Sequence, residues 1–247
     1  MNILVCISKA PDTTSKIAFT NNLTQFDENG VQYIVNPYDE WYSLVKAIEL
    51  KEKDPSAIIH LVTVGTADAE PIIRKALALG GDEAIRINSN SNDSFYVAKQ
   101  IATIAKEGSY DIIFTGKETI DYNSASIGSM LSAILDLPLV SLANQLDLNG
   151  NTATVRREIE GGEETCEVNL PVVISCQKGM AEQRIPNMRG IMAARSKPLK
   201  VLEPIEASAT TSIKKFDIPV AKSGVKLVDP ANMDELVRLL KEEAKVI

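Results

Sequence analysis

Short apolar runs rich in β-branched residues alternate with longer segments of helical period along the first part of the chain. The apolar runs predict strands at about residues 2–8, 31–35, 57–64, 84–87 and 110–115. The segments between them predict helices at about residues 36–53, 66–79, 94–106 and 126–135. Apolar strands that alternate with helices indicate an α/β fold with a doubly wound, mostly parallel, Rossmann-like sheet.

The start of the first predicted helix carries the run Asn36-Pro37-Tyr38-Asp39-Glu40. Asn36 is of a type that caps helices, and Pro37 suits the first helical position, where an N–H group is not needed. Asp39 and Glu40 place negative charge against the positive end of the helix dipole. We therefore expect the helix to begin directly after Asn36.

After Pro138 the pattern changes to short strands, predicted at about residues 152–158, 164–169 and 172–176. Glu160-Gly161-Gly162 predicts a hairpin turn, and residues 179–189 are polar and irregular. The weak periodicity that follows predicts an extended arm that ends in a helix at about residues 233–244. We thus divide the chain into an α/β domain over about residues 1–203 and a C-terminal arm and helix over about residues 204–247.

Composition limits the partners that such a fold could have. The chain has 247 residues and a net charge of −7, and it contains no basic block of the kind that binds nucleic acid. No apolar run approaches the roughly 18 residues of a membrane span. The apolar start of the chain has no basic flank, so we expect a cytoplasmic protein without an export signal.

Histidine and cysteine, which serve in catalytic triads and in zinc sites, are scarce in the sequence. The one histidine, His60, lies inside an apolar run, where it is expected to decorate a strand and not to act as the base of a triad. Cys6, Cys166 and Cys176 form no C-x-x-C pair, which favours reduced, mostly buried thiols. Hydrolytic chemistry and a structural zinc site are therefore disfavoured.

Three strand ends are expected to meet at one edge of the sheet, at Cys6, Val64 and Gly116, because parallel strands present their carboxyl ends together. The loop after Gly116 carries hydroxyl, carboxylate and ammonium groups, a mixture that suits a ribose and a phosphate. The glycine-rich nucleotide fingerprints are absent from the sequence. A solvated connection with a helix cap accounts for the same loop, and a cap alone accounts for Asn36 and Pro37.

Two further segments stand out by composition. Residues 155–164 are charged and predict a surface hairpin. Residues 182–192 are mostly polar but include Met188, whose flexible thioether could anchor a partner or pack into the chain's own core.

At these same places the chain resembles the β-subunit of electron transfer flavoproteins, over nearly its whole length. Residues 3–13 are similar to that family's opening strand and loop, and residues 36–40, 76–82 and 116–121 follow in order. The most specific likeness is at residues 155–175, where Arg157, the turn Glu160-Gly161-Gly162 and Leu170-Pro171 precede an aliphatic strand. Cys166 stands where an aliphatic residue is usual, a small departure because cysteine packs as a small hydrophobe.

The resemblance implies a heterodimer in which an α-subunit holds most of the FAD, while this chain closes over it and binds AMP. It implies an electron carrier without catalytic residues of its own. Dehydrogenases such as acyl-CoA dehydrogenases would donate the electrons, and a quinone oxidoreductase would accept them. The C-terminal arm and helix would pack on the α-subunit.

Site residues are carried over from the family position by position. Those that would face the FAD are Pro11, Asp12 and Thr13. Those that would recognise a partner are Arg184, Met188 and Ile191, with Met188 as the apolar anchor. Those that would bind AMP are Cys6, Asn36, Pro37, Tyr38, Asp39, Val64, Gly116, Lys117, Glu118, Thr119, Ile120, Asp121, Tyr122, Asn123, Ser124, Ala125, Ser126 and Ile127.

Two alternatives remain beside the AMP-binding electron carrier. Electron-bifurcating relatives hold a second FAD in place of AMP, and residues 122–126 differ from the pattern of both types. We favour AMP because Tyr122 and Asn123 are bulkier than the small residues that would admit a second flavin's pyrophosphate. The other alternative is a stand-alone adenine-nucleotide-binding regulatory domain on the same scaffold, because a fold does not fix a function.

Overall fold

The structure, a computed structural model, describes residues 1–221 and 224–247. Its strands are β1 (Asn2–Cys6), β2 (Lys9–Pro11), β3 (Phe19–Thr20), β4 (Gln25–Phe26), β5 (Tyr33–Val35), β6 (Ile58–Val64), β7 (Glu83–Ile87), β8 (Ile112–Gly116), β9 (Leu139–Asn149), β10 (Thr152–Ile159), β11 (Gly162–Asn169), β12 (Val172–Cys176) and β13 (Leu199–Leu202). Its α-helices are α1 (Asp39–Lys53), α2 (Glu70–Leu79), α3 (Ser94–Gly108), α4 (Ile127–Leu135), α5 (Met188–Ala194) and α6 (Met233–Arg238). A 3-10 turn, Ala67–Ala69, precedes α2, and a π-helical stretch, Leu239–Ala244, follows α6.

One large sheet carries the fold, with the strand order β11-β10-β9-β12-β8-β1-β6-β7-β13. The strands from β9 to β13 in this order run parallel, and β10 and β11 extend the sheet as an antiparallel hairpin. The predicted doubly wound, mostly parallel α/β fold is therefore confirmed. Because the parallel strands share a direction, the carboxyl ends of β1, β6, β8 and β12 lie at one edge.

Separate apolar layers cover the two faces of the sheet, which explains why the central strands are buried along almost their whole length. On one face, α1 and α2 contribute Leu44 and Leu77 to an apolar layer that includes Phe114 of β8. On the other face, α3 and α4 contribute Ile101 and Leu131 to a layer that includes Ile113. The helices that follow the strands thus start at the same edge at which the strands end.

The predicted strands and helices of the α/β part are confirmed to within a few residues, and so is the predicted hairpin. Six elements were not predicted, among them the short strands β2, β3 and β4. The strand β9 precedes the hairpin, where only short strands were expected, β13 forms the sheet margin beside β7, and α5 lies in the segment expected to be irregular. His60 lies on β6 as expected, where Nδ1 is 2.7 Å from the Tyr110 hydroxyl and Nε2 is 3.0 Å from a Glu83 oxygen.

The first part of the C-terminal arm is bound to the α/β part. Gln100 on α3 makes two hydrogen bonds with the main chain of Ile205, at 2.9 and 2.8 Å. Asp93, the N-cap residue of α3, accepts hydrogen bonds from the Thr210 hydroxyl and from the Thr211 main chain and hydroxyl. Phe216 stacks on Phe19 with ring centroids 4.4 Å apart. The arm is thus held at three points before residue 217.

Two other findings concern the described residues. Cys6 and Cys176 are buried, and Cys166 is partly buried; all three are free thiols. None of the helices in the described ranges has the length and apolar character that crossing a bilayer requires.

Candidate functional site

Asn36 ties the end of β5 to the long loop that follows β8. It is 0% exposed, its Nδ2 donates to the Glu118 carbonyl at 3.1 Å, and its Oδ1 accepts from the Ile120 N–H at 3.0 Å. The predicted capping role of Asn36 is wrong, because α1 begins at Asp39 and its N-cap position is taken by Tyr38. Pro37 accordingly lies before the helix and not at its first position.

The first turn of α1 joins the ends of β1 and β8. Asp39 Oδ2 accepts from the Glu118 N–H at 3.3 Å, and the Ser43 hydroxyl is 2.8 Å from the Asp39 carbonyl and 2.9 Å from the Thr115 carbonyl. Glu40 is buried and accepts hydrogen bonds from the N–H and the hydroxyl of Ser8, at 2.6 and 2.8 Å. Burial raises the pKa of Glu40 to about 8 despite those two bonds. The acidic turn predicted from the sequence is therefore a structural junction.

A cavity of about 340 Å³ opens beside this junction. Its volume is at the lower end of the range typical of small-molecule sites. Lys117 pairs with Glu118 at 2.9 Å, and this hydrogen bond raises the pKa of the lysine. The residues that line the cavity are Pro37, Tyr38, Asp39, Lys117, Glu118, Ile120, Asn123 and Lys178.

The start of α4 lies on the other side of the same loop. Ser126 occupies the N-cap position without a side-chain capping hydrogen bond, so the helix start retains N–H groups that its own cap does not use. The Thr115 hydroxyl is buried and has no hydrogen-bond partner among the residues that the structure describes. It lies directly under this helix start, 3.0 Å from the place of a Cβ added at Gly128. Unused donors and a buried unpaired hydroxyl are features that a bound anion or a water would satisfy.

The two other predicted strand ends lie on the α4 side of the sheet. Cys6 and Val64 pack in the apolar layer formed with α3 and α4, and Ile127, the first residue of α4, packs there too. Burial, followed by the charge of Glu40, raises the pKa of the Cys6 thiol, which therefore stays protonated. The predicted AMP residues thus form two groups on either side of the loop, and Gly116, the last residue of β8, stands between them.

The tip of the loop is exposed and has an unusual backbone. Asn123 donates its N–H to the Thr119 carbonyl at 3.0 Å, and residues 121–125 are exposed. Asn123 and Ala125 have φ of 49° and Tyr38 has φ of 65°, in the left-handed region that side chains other than glycine rarely adopt. Such strained positions cluster at ligand sites. We call residues 36–39 and 116–127, where the sequence predicts contacts with a nucleotide, the nucleotide edge.

A neighbouring loop supports the tip from the α3 side. Asn92 donates to the Tyr122 hydroxyl at 2.7 Å, and the hydroxyls of Ser94 and Ser124 are 3.3 Å apart. Asp93 lies between these two contacts and binds the C-terminal arm. Residues 92–94 therefore connect the tip of the loop to the C-terminal arm.

The segment predicted to face the FAD is a short turn after β2. Asp12 Oδ1 accepts from the N–H and the hydroxyl of Thr14, at 2.9 and 2.6 Å, and these bonds lower the pKa of Asp12. The Asp12 N–H donates to the Gln32 carbonyl at 2.7 Å. Pro11 ends β2 and is partly buried, whereas Thr13 is exposed.

The segment predicted to recognise a partner is the most apolar exposed part of the α/β region. The prediction covered residues 182–192; extended to the end of α5, residues 182–194 are here called the recognition segment and comprise a stretch of coil and the helix α5. Ile185 is 85% exposed, Met188 is 73% and Met192 is 66%, and Ile191 is also exposed. Met188 therefore does not pack into the chain's own core. Arg184 is already engaged within the chain, because its guanidinium binds both carboxylate oxygens of Glu52, at 2.6 and 3.0 Å.

The chain matches a family profile and several full-length relatives. The profile of the electron transfer flavoprotein domain matches residues 23–207. Electron transfer flavoprotein subunit beta of Bacillus subtilis is 36% identical, and the match covers 100% of both chains. The subunit of the same name from Syntrophomonas wolfei is 34% identical over 100% of this chain and 98% of its own. The chain belongs to the electron transfer flavoprotein β-subunit family.

A relative with a different printed name is subunit CarD of the caffeyl-CoA reductase-Etf complex from Acetobacterium woodii. It is 30% identical over 98% of this chain and 99% of its own. Membership of the family implies association with a flavin and with an α-subunit, and a role in electron transfer instead of bond-making catalysis.

Three features of the site were missed in the sequence. Lys178 lines the cavity, but it lies in an irregular polar stretch after β12 that carries no motif. Ile185 is the most exposed apolar residue of the recognition segment, and its position before Pro186 in an otherwise polar stretch is a signal that could have identified it. The unpaired hydroxyl of Thr115 follows from packing under α4, which residue types alone do not reveal.

Proposed function

We propose that this chain is the β-subunit of a heterodimeric electron transfer flavoprotein that carries electrons from dehydrogenases, such as acyl-CoA dehydrogenases, to a quinone oxidoreductase. It would share FAD with the α-subunit and would hold AMP at the nucleotide edge. FAD supplies the redox chemistry when bound, because it accepts and donates electrons reversibly. A cytoplasmic location stays a prediction.

The observation that carries the proposal is the preformed polar edge formed by residues 36–39 and the loop that follows β8. Asn36 and Asp39 hold the main chain of the 116–127 loop, and the start of α4 keeps N–H groups that its own cap does not use. Such N–H groups favour a phosphate. The cavity on the other side of the loop has hydroxyl, amide and carboxylate neighbours for a ribose or a base. These residues bind and orient a nucleotide; they are not arranged as an acid–base pair around a reacting bond.

AMP fits this edge better than a second FAD. Tyr122 is hydrogen bonded to Asn92, so its ring bridges the gap between the loop tip and the segment before α3. FAD adds a second phosphate, a ribityl chain and an isoalloxazine to AMP, and these groups would need the space that the Tyr122 side chain occupies next to Asn92. The side chains at residues 117–123 therefore favour the smaller ligand.

The second candidate is an electron-bifurcating subunit that holds a second FAD. The observation in its favour is the likeness to a subunit of a caffeyl-CoA reductase-Etf complex over nearly the full chain. In that case, Tyr122 would have to move away from Asn92 to admit the larger ligand.

Co-expression with the α-subunit encoded in the same genome, followed by acid release of the bound nucleotides, tests the proposal. We expect a yellow heterodimer with about one FAD and about one AMP, whose flavin is reduced by an acyl-CoA dehydrogenase and its substrate. About two FAD and no AMP per heterodimer would favour the bifurcating candidate. A colourless protein that does not bind the α-subunit would refute both and would favour a regulatory nucleotide-binding domain.

A further inference from the structure

The helix α5 has two distinct faces. Met188, Ile191 and Met192 are three and four positions apart, so they share one face, and all three are exposed. Gly190 and Ala194 are four positions apart on the other face, and Ala194 is 2% exposed. This inner face packs against α2. The orientation of α5 on α2 therefore decides how the three apolar side chains are presented to solvent.

Gly190 allows the closest contact in this packing. A Cβ added at Gly190 would stand 2.3 Å from the carbonyl oxygen of Ala78, near the end of α2. That distance is far inside van der Waals contact, and the obstacle is main chain, which cannot rotate away as a side chain could. The Gly190 N–H also donates to Oδ1 of Asn187, the N-cap residue of α5, at 2.8 Å. Gly190 therefore takes part in two features: the capping of α5 by Asn187 and the close approach of α5 to α2.

Hydrogen bonds fix the segment on either side of this contact. Nη1 of Arg74, on α2, donates to the carbonyls of Ala194 and Lys197 at 2.8 and 2.6 Å, at the C-terminal end of α5. A cation in that position complements the helix carbonyls. Nε1 of Trp41, on α1, donates to the Arg184 carbonyl at 3.1 Å, before α5. The apolar face is therefore exposed but mounted on a fixed base.

We propose that Gly190 is a positioning residue for electron exchange: by admitting the end of α2 against α5, it holds Met188, Ile191 and Met192 in the arrangement that docks an apolar pocket of a dehydrogenase. The inference rests on the proposed function. Docking surfaces of this kind depend on a few apolar side chains, and fixing them in advance reduces the entropy lost on binding. Gly190 itself need not touch the dehydrogenase.

The test uses the FAD-loaded αβ complex with the substitution Gly190→Ala. Alanine is favoured over glycine in a helix, so an isolated α5 would be more stable, and any loss must come from the contact with Ala78. We expect kcat/KM of an acyl-CoA dehydrogenase for the flavoprotein to fall about tenfold, mainly through a higher KM. FAD content and the rate of flavin reduction by dithionite are expected to stay at the wild-type value, because neither requires docking.

Gly162→Ala is the matched control. Gly162 is the exposed first residue of β11, next to the hairpin turn; it has no atom within 4 Å of an added Cβ and does not have a positive φ. The Gly162→Ala substitution should leave kcat/KM within about twofold of wild type. Arg74→Met keeps an unbranched apolar stem but removes the guanidinium and with it both hydrogen bonds to the end of α5, so it should also raise KM. If Gly190→Ala does not fold, Arg74→Met still tests whether the orientation of α5 controls docking.

Three results would overturn the inference. Wild-type kcat/KM in both Gly190→Ala and Arg74→Met would show that the orientation of α5 does not control docking. An equal loss in dithionite reduction or in FAD content would show that Gly190 is only structural. If the wild-type complex accepted no electrons from the dehydrogenase, both the proposed function and this inference would fail. If the wild-type complex accepted electrons and the two variants had the same kcat/KM as wild type, only this inference would fail.

Discussion

The base of the nucleotide edge is held by polar groups inside the protein, whereas the recognition segment carries apolar groups on the outside. Asn36 and Asp39 are buried, and every hydrogen bond described for their side chains joins two parts of the chain that are far apart in sequence. Ile185 and Met188 are among the most exposed apolar side chains of the α/β part. The two regions thus invert the usual distribution of polar and apolar residues in different ways.

The difference shows how two kinds of binding surface are built. A small polar ligand requires its partners to be fixed beforehand, so the folded chain must contain a buried, satisfied polar network, which is costly if any member is removed. A transient protein partner requires exposed apolar area on a firm base, and the exposed side chains contribute little to folding. Substitutions in the first region should therefore impair folding and binding together, whereas those in the second should impair binding alone.

The largest effect is expected from Asn36→Ala. The substitution leaves the Glu118 carbonyl and the Ile120 N–H without their partner in a buried place. We expect the free energy of unfolding to fall by about 3 kcal/mol, since each unpaired buried group costs about 1–3 kcal/mol. The AMP content of the purified complex should fall with it. Urea unfolding and acid release of the nucleotide measure the two quantities.

Asn151→Ala is the control for that substitution. Asn151 is exposed, and its single side-chain hydrogen bond, to the Leu170 carbonyl, is long at 3.4 Å. The free energy of unfolding should change by less than about 0.5 kcal/mol. Wild-type stability and full AMP content in Asn36→Ala would contradict the view that the loop is held from within.

A smaller effect is expected from Asp93→Ala, which lies where the nucleotide edge is connected to the arm. Asp93 caps α3 through the Tyr96 N–H at 2.7 Å and accepts three hydrogen bonds from Thr210 and Thr211. Loss of the cap and of the arm contacts should cost about 2 kcal/mol. Hydrogen exchange should accelerate in residues 205–216 but not in the hairpin of β10 and β11.

The same residue predicts a dependence on pH. Burial alone would raise the pKa of Asp93, but the hydrogen bonds from Thr211, Tyr96 and Thr210 outweigh it and hold the pKa well below its usual value of 3.8. The native state therefore binds a proton less readily than the unfolded state, and stability that is present above pH 3.8 is lost as the pH falls below it. Asp93→Asn should reduce this acid sensitivity. An unchanged slope of stability against pH would contradict the assignment.

The sequence predicted the regular secondary-structure elements well and the long-range contacts poorly. The strands and helices of the α/β part follow from local periodicity, which each segment carries by itself. Asn36 was placed as a helix cap because its neighbours suit a helix start, yet its partners, Glu118 and Ile120, are more than eighty residues away. Similarly, α5 was missed because it is only seven residues long and is held by Arg74 and Trp41 from other elements. Local patterns cannot indicate such distant support.

The smallest effect on folding is expected at Ile185 and Met188. Because both side chains are exposed, Ile185→Ala and Met188→Ala should each change the free energy of unfolding by less than about 0.5 kcal/mol. Reduction of the flavin by a dehydrogenase should nevertheless slow several-fold, with flavin content unchanged, because truncating an apolar anchor weakens docking. Ile185 is the more exposed of the two, so its truncation should have the larger effect. Steady-state kinetics with the flavoprotein as the varied substrate measure the difference, and loss of FAD in either variant would mean that the residue supports the fold after all.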